Sequence, residues 1–398
     1  MTPKSFSILK IILLLAPFVL ALPVAMDIYV PALPSIATLF QVSAGKMQLT
    51  LAVFMFTAGL MQLFIGPLSD QRGRKSICFV MTLIFALGTV LCARAHSANQ
   101  LIIFRCIQAM GACGMMVIGF AIVRDLYAGK KSAQVYSYLN GLISFSPMFA
   151  PFIGSYLDVY FGWPSTFLAL LIIAGASLIV IALYLPETLH KNNRVLFNIS
   201  IIKKYKEISK NPIFMLYNAT GAIGLSYLYL FCSISPYVII RLLHIPEIYY
   251  GLYFCFMGIS FFIGSFLSGY IVHRLGIFNT VILGIFITLM GGITMTLWYF
   301  ITGLTIHNFI WPMLLIGIGG TFCMGAGNGG AMEPFAENAG AASALGGAIR
   351  FVFSSLLGSL LITTKVTSTL PLAIPAVIFS IIELIVFLKY KNLLKFSE

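Results

Sequence analysis

The chain has 398 residues, 60% of them hydrophobic and only 9% charged, and its mean hydropathy is +1.00. A water-soluble domain carries about 25% charged residues, so this composition excludes a soluble globule and points to a membrane-embedded chain. The net charge of +13 does not imply nucleic acid, because the basic residues are scattered through short polar stretches; topology and anionic lipid headgroups explain it better.

A hydrocarbon core about 30 Å thick takes roughly 20 apolar residues to cross as a helix. The sequence predicts twelve such spans, at 8–30, 45–66, 76–94, 98–122, 133–157, 165–185, 212–240, 248–270, 277–301, 308–332, 343–364 and 371–389. Both termini then lie on one side. Of the 24 Lys and Arg, only Lys46, Arg94, Arg241 and Lys365 fall on the other side, while Arg105 and Arg350 lie inside spans. The positive-inside rule makes the terminal side cytoplasmic. Lys4 and Lys10 before an apolar run resemble a secretory signal, but the run is long for one, and Asp27, Pro31 and Pro34 stand where cleavage would fall. The expectation is a retained first span.

Asp27 sits in the outer part of that span. A carboxylate there costs a few kcal/mol unless paired or protonated, which makes it a proton-carrier candidate. The alternative is a helix-end residue before Pro31 that faces water. Arg105, at similar depth in the fourth span, is its expected partner; otherwise it snorkels to the interface. Between the second and third spans, Gly66-Pro-Leu-Ser-Asp-Gln-Arg-Gly-Arg-Lys75 concentrates Asp70, Arg72, Arg74 and Lys75 in a tight connection. Asp70 is expected to pair with Arg124, either as part of close helix packing at Gly66 and Gly73 or as a latch on one conformation. In the fifth span Pro147 and Pro151, with Gly141 and Gly154, remove backbone donors or side chains and are expected to bend the helix.

The stretch 186–211 is the one long polar segment and divides an N-terminal six-span unit, 1–188, from a C-terminal one, 212–398, through a cytoplasmic linker at 189–211. The halves repeat: Gly66-Pro-Leu-Ser-Asp-Gln-Arg-Gly73 matches Gly269-Tyr-Ile-Val-His-Arg-Leu-Gly276 at an offset of 203 residues, with His273 where Asp70 stands. In the second half Arg350 and Glu383 lie at similar depth and either form an ion pair or leave Arg350 facing a central cavity as a site for an anionic substrate. Glu333 and Glu337 suggest a charge cluster at the inner gate. The aromatic and amide residues Tyr136, Asn140, Tyr217, Asn218, Tyr227, Tyr229, Phe231 and Tyr253 are candidate substrate contacts, with interhelical packing as the alternative. All seven cysteines lie inside predicted spans, which suits helix packing rather than disulfides or metal. Gly325-Ala-Gly-Asn-Gly-Gly330 fits a dinucleotide pattern but lies in an apolar helix with no preceding strand. No Walker loop or metal pattern is present, so the expectation is no enzyme, no cofactor, no metal, and an ion gradient as the energy source.

The 66–75 turn resembles the loop pattern of the major facilitator superfamily. Met26-Asp-Ile-Tyr-Val-Pro-Ala-Leu-Pro34, Ala121-Ile-Val-Arg-Asp-Leu-Tyr127, Ser146-Pro-Met-Phe-Ala-Pro-Phe-Ile-Gly154, Phe161-Gly-Trp163, Leu185-Pro-Glu-Thr-Leu189, Ser235-Pro-Tyr-Val238 and Ala339-Gly-Ala-Ala-Ser-Ala-Leu345 are similar to the Bcr/CflA drug-resistance branch. The resemblance implies twelve transmembrane helices in two pseudo-symmetric six-helix bundles, a monomer in the bacterial inner membrane, and drug/proton antiport. Asp27 would carry the proton, Arg105 would tune it, and the fifth span would bend in the switch. Pro164, Glu333 and Arg350 depart from that family's usual pattern and bear on the cargo. A siderophore or another anionic metabolite is the alternative cargo, and a sensor that moves nothing is the alternative class.

Overall fold

The computed structural model describes residues 7–127, 129–189, 200–361 and 368–395. Among them there are helices and turns but no strands, as expected where no water is present to satisfy an open sheet edge. Helix α1 (Ile8–Asp27) is followed by a 3₁₀ turn at Val30–Ala32 and the short α2 (Leu33–Leu39). Then come α3 (Ala44–Arg72), α4 (Arg74–Ala93), α5 (Ala98–Leu126), α6 (Gly129–Phe161) and α7 (Pro164–Leu183). The linker holds α8 (Ser200–Ser209), and the second half holds α9 (Pro212–Pro236), α10 (Glu247–Thr302), α11 (Ile306–Met332), α12 (Ala339–Leu361), α13 (Leu370–Lys389) and α14 (Lys391–Lys395).

Polar caps fix where several of these begin. Ser43, Ser97 and Asn211 accept backbone N–H bonds at the starts of α3, α5 and α9, and Thr305 with Asn308 forms a reciprocal capping box on α11. Large apolar side chains such as Ile172, Phe266 and Ile301 point outward and are 75 to 80% exposed. That is the surface of a chain whose solvent is lipid.

Eleven described helices are long and apolar enough to cross a membrane. One of them, α10, has 56 residues. At 1.5 Å per residue it would extend about 84 Å if straight, far beyond one bilayer crossing. The structure thus runs the expected eighth and ninth spans into one element, interrupted only at Gly276 with φ 79° and ψ 170°. Gly73, between α3 and α4, has φ 100° and ψ 147°. The two glycines are related by the 203-residue offset, and both occupy a backbone region that only glycine adopts freely.

Helices α1, α3, α4, α5, α6 and α7 pack together, as do α9 to α13. The groups meet along two lines, α3 against α12 and α6 against α10. Adding 203 maps α3 onto the first part of α10 and α6 onto α12, so the repeat exchanges one seam contact for the other. The ends of the bundle are defined by connectivity: the turns at Gly73 and Gly276 share the end of the termini, and residues 28–43 and 237–246 form the opposite end.

Close packing at Gly66 does not occur. A Cβ added at Gly66, or at its counterpart Gly269, would meet nothing within 4 Å. Replacing Gly73 by Ala should therefore cost about 1–3 kcal/mol through backbone strain, and Gly66→Ala should leave the thermal midpoint of the detergent-solubilised protein unchanged. Equal loss in both variants would contradict this reading.

Candidate functional site

Asp27 is the last residue of α1 and is 2% exposed, so it does not face water. Its Oδ2 accepts from Ser146 Oγ of α6 at 3.3 Å, and its Oδ1 lies 4.0 Å from Cys232 Sγ of α9. One carboxyl therefore touches both halves. The approach of α6 that brings Ser146 here depends on Gly154, where a Cβ would run into the Ile28 carbonyl oxygen. From its other side, the Pro147–Phe152 stretch of α6 presses on two glycines of α10. A Cβ at Gly258 would lie 2.6 Å from the Met148 backbone, and one at Gly251 would collide with the Phe152 Cα. Pro147 and Pro151 leave α6 without two of its own backbone N–H donors where it is gripped between both halves.

Arg105 is fully buried and does not snorkel. The expected ion pair with Asp27 is not formed; the guanidinium is engaged instead by the Ala25 carbonyl, Gln108 and two aromatic rings. Its Nη1 donates to the Ala25 carbonyl at 2.9 Å and to Gln108 Oε1 at 2.6 Å. The plane lies between Phe54 and Tyr29, 3.9 and 4.4 Å from the ring centroids, a geometry worth about 2 kcal/mol or more when desolvated. Gln108 extends the network to Thr89, and the Tyr29 hydroxyl meets Thr50. Nε and Nη2 of Arg105 have no partner.

At the terminal end, Arg74 is the hub. It is 1% exposed and binds Asp70 Oδ1 at 2.5 Å, Asp125 Oδ2 at 2.9 Å and Ser69 Oγ at 2.5 Å. Its backbone N–H donates to Glu187 Oε1 at 2.9 Å, and Thr188 donates to Asp125. The expected Asp70–Arg124 pair is present only at the 4.0 Å limit, with Arg124 half exposed beside Gly340 of α12; Arg72 is exposed. Sequence reasoning missed Asp125, Glu187 and Ser69. The adjacent Arg124-Asp125 pair and the Pro-Glu-Thr run were the available signals.

Tyr136 stacks on Phe120 and donates to its carbonyl, and Asn140 is exposed and bonds its own helix. Tyr217, Tyr227, Tyr229 and Phe231 are buried among α9's neighbours, and Tyr253 is half-buried on α10. Asn218 accepts from Arg350 Nη1 at 2.9 Å, as does Asn328 at 2.9 Å. The alternative Arg350–Glu383 ion pair is not formed: Glu383 is buried elsewhere with Oε1 unpartnered. Glu333 is exposed, and the side chain of Glu337 lies outside the described residues.

Every hydrogen bond that joins α1–α7 to α9–α13 among the described residues lies toward the opposite end. Besides the Asp27 contact, Gln48 Nε2 donates to the Ser233 carbonyl at 2.6 Å, and Arg241 Nη2 donates to the Pro34 carbonyl at 2.8 Å and to Thr38 Oγ1. Tyr237 donates to the Ala44 carbonyl. Glu247 faces Asp158 across the same seam, and Asp158 also accepts from Ser35 Oγ at 3.1 Å.

A family model described as Major Facilitator Superfamily matches residues 13–359. The chain belongs to the Major Facilitator Superfamily. Superfamily relatives include a chloramphenicol resistance protein of Pseudomonas aeruginosa, 27% identical across 94% of this chain and 88% of that protein. A bicyclomycin resistance protein homolog of Haemophilus influenzae is 26% identical across 88% of each chain. Multidrug resistance protein D of Escherichia coli is 27% identical, also across 88% of each. Among solved structures, the xylose transporter of E. coli in a partially occluded inward open conformation aligns with a TM-score of 0.73 at 13% identity, covering 96% of this chain and 97% of that one. A D-xylose-proton symporter aligns at 0.71 and 14% identity, over 94% and 97%. At these identities the structures show the superfamily fold alone. The chain is a multi-pass membrane protein of that fold.

Removing Arg74 as Arg74→Ala leaves Asp70 and Asp125 facing each other without their shared cation, and should cost about 3–5 kcal/mol. The half-exposed Arg124→Ala should cost about 0–1 kcal/mol. Thermal unfolding of the two variants checks the order, and equal losses would remove Arg74 as the hub.

Proposed function

We propose that the chain exports drug-like small molecules across the bacterial inner membrane in exchange for protons, as a monomer with both termini in the cytoplasm. Gly276 would divide α10 into two passes, giving twelve in all, with the halves 1–188 and 212–398 rocking about a midplane site. The single observation that carries the proposal is the position of Asp27: a buried carboxyl on the seam, touching Ser146 of one half and Cys232 of the other. A charged carboxylate there has neither water nor a paired cation, whereas a protonated one can stay, so its protonation state is tied to whether the seam is shut or open to water.

The cross-half bonds at the opposite end close that side in this state, and the absence of such bonds at the other end among the described residues suits cargo arriving from the terminal side. Cargo binding would favour loss of the Asp27 proton to the extent that its affinity differs between the two protonation states. Arg105 would bias that balance from its aromatic cage. The turn at Gly66, Asp70, Arg72, Gly73 and Arg74, together with Arg124, Pro147, Pro151 and Gly154, would serve as the switch. The names of the relatives support drugs as cargo, and none of those described is a siderophore transporter. No catalytic residue, cofactor or metal enters this cycle.

The experiment is uptake of chloramphenicol and bicyclomycin into everted vesicles carrying the wild type or Asp27→Asn. Gradient-driven accumulation should fall at least tenfold in the variant while drug binding to the purified protein stays within about threefold. Undiminished proton-driven accumulation would remove Asp27 from the mechanism.

A further inference from the structure

Arg350 of α12 lies in the membrane-spanning region with no carboxylate in ion-pair distance among the described residues. Its guanidinium is held by one nitrogen only: Nη1 donates to Asn218 Oδ1 of α9 and to Asn328 Oδ1 of α11, both at 2.9 Å. Nε and Nη2 take no protein acceptor among the described residues, and Arg350 is only partly buried, with Asn328 exposed beside it. The Asn218 amide presents its oxygen to the cation, so its Nδ2 points elsewhere, fully buried and without a partner. The reverse orientation would set an amide donor against a guanidinium donor, so the arginine fixes this one.

The result is a guanidinium braced by α9 and α11 through one nitrogen, with Nε and Nη2 left without a protein acceptor among the described residues. Two glycines leave room for it: a Cβ at Gly221 would stand 3.2 Å from Arg350 Cδ, and one at Gly346 would stand 3.4 Å from Nη1. Unmet donors in a low-dielectric site are costly, and the ligand that meets them best is a planar oxyanion, which can bond Nε and Nη2 side by side. We propose that Arg350, held in position by Asn218, binds a carboxylate where the cargo has one, so that acidic drug-like molecules bind more tightly than neutral ones of the same shape. The inference rests on the transport reading for the word cargo, but the site itself is a binding site whether or not flux follows. It separates the labour of the halves: the acid that handles the proton is in the first, and the cation that reads the cargo is in the second.

The test uses the purified full chain and matched pairs of small aromatic ligands, benzoate against benzamide and naphthoate against naphthamide. Dissociation constants come from ligand-observed NMR, and thermal midpoints from unfolding in the same buffer. The expected result is at least tenfold tighter binding of each acid than of its amide. That preference should vanish in Arg350→Gln, be retained in part in Arg350→Lys, and weaken in Asn218→Ala, with the ligand-free thermal midpoint of Arg350→Lys close to wild type. Equal response to acid and amide, whether both bind or neither does, overturns the proposal. So does displacement of the acids by phosphatidylglycerol in nanodiscs, which would assign the donors to a lipid headgroup. Acid-selective binding without transport of any acid would leave this site standing and sink the antiport reading instead.

Discussion

The arrangement depends on how closely α6 can approach the end of α1. Gly154 sets its bare Cα against the Ile28 carbonyl, one residue after Asp27, and any side chain there would push the helices apart. Because that contact is backbone against backbone, Ser146 is carried to the carboxyl, and Met148 and Phe152 are carried to the glycines of α10. A movement of the second half against the first along the α6–α10 seam would therefore act on a helix that also bonds the acid. In the proposed cycle, this contact would couple the proton to the rocking motion without a long chain of intermediates.

The repeat explains the seam and its asymmetry. Contacts α3 with α12 and α6 with α10 are one contact seen twice, and Gly73 and Gly276 make the same glycine-only turn in the two copies. Yet the copies carry different chemistry. The first has Asp70, Arg74 and Asp125 knitted into a buried cluster, where the second has His273 in place of the acid. A stiff first-half turn would let that half move as a body, since the Arg74 bonds all stay within it. The buried charge of Arg74 is satisfied by neighbours of its own half, and Arg105 lies sealed between rings of that half with Nε and Nη2 unpartnered, whereas the open donors of Arg350 sit at a partly exposed position.

Much of this was legible in the sequence, for reasons that can be named. An isolated acid in an apolar run, as at Asp27, has few places to be in a bilayer other than the packed interior, and it is found buried where the two halves meet. The Gly66–Gly73 and Gly269–Gly276 matches gave the repeat, because turns that require positive φ tolerate little substitution. Pairings were less legible. Sequence depth put Arg105 level with Asp27, but depth does not say which way a side chain turns, and the rings of Tyr29 and Phe54 offered it a closer partner. Asp125 rather than Arg124 reaches inward because consecutive helical residues point about 100° apart, and no feature of the Arg-Asp pair says which of them faces the turn. Gly66 looked like a packing glycine, yet in this conformation its missing side chain faces open space.

The central claim is that Asp27 gives up its proton when cargo binds and the seam loosens. Proton release can be measured directly by adding a transported drug to the purified protein in weakly buffered detergent solution with a pH indicator. The account predicts about one proton released per bound drug for the wild type and none for a protein with asparagine at position 27. Release of the same number of protons from both would contradict it.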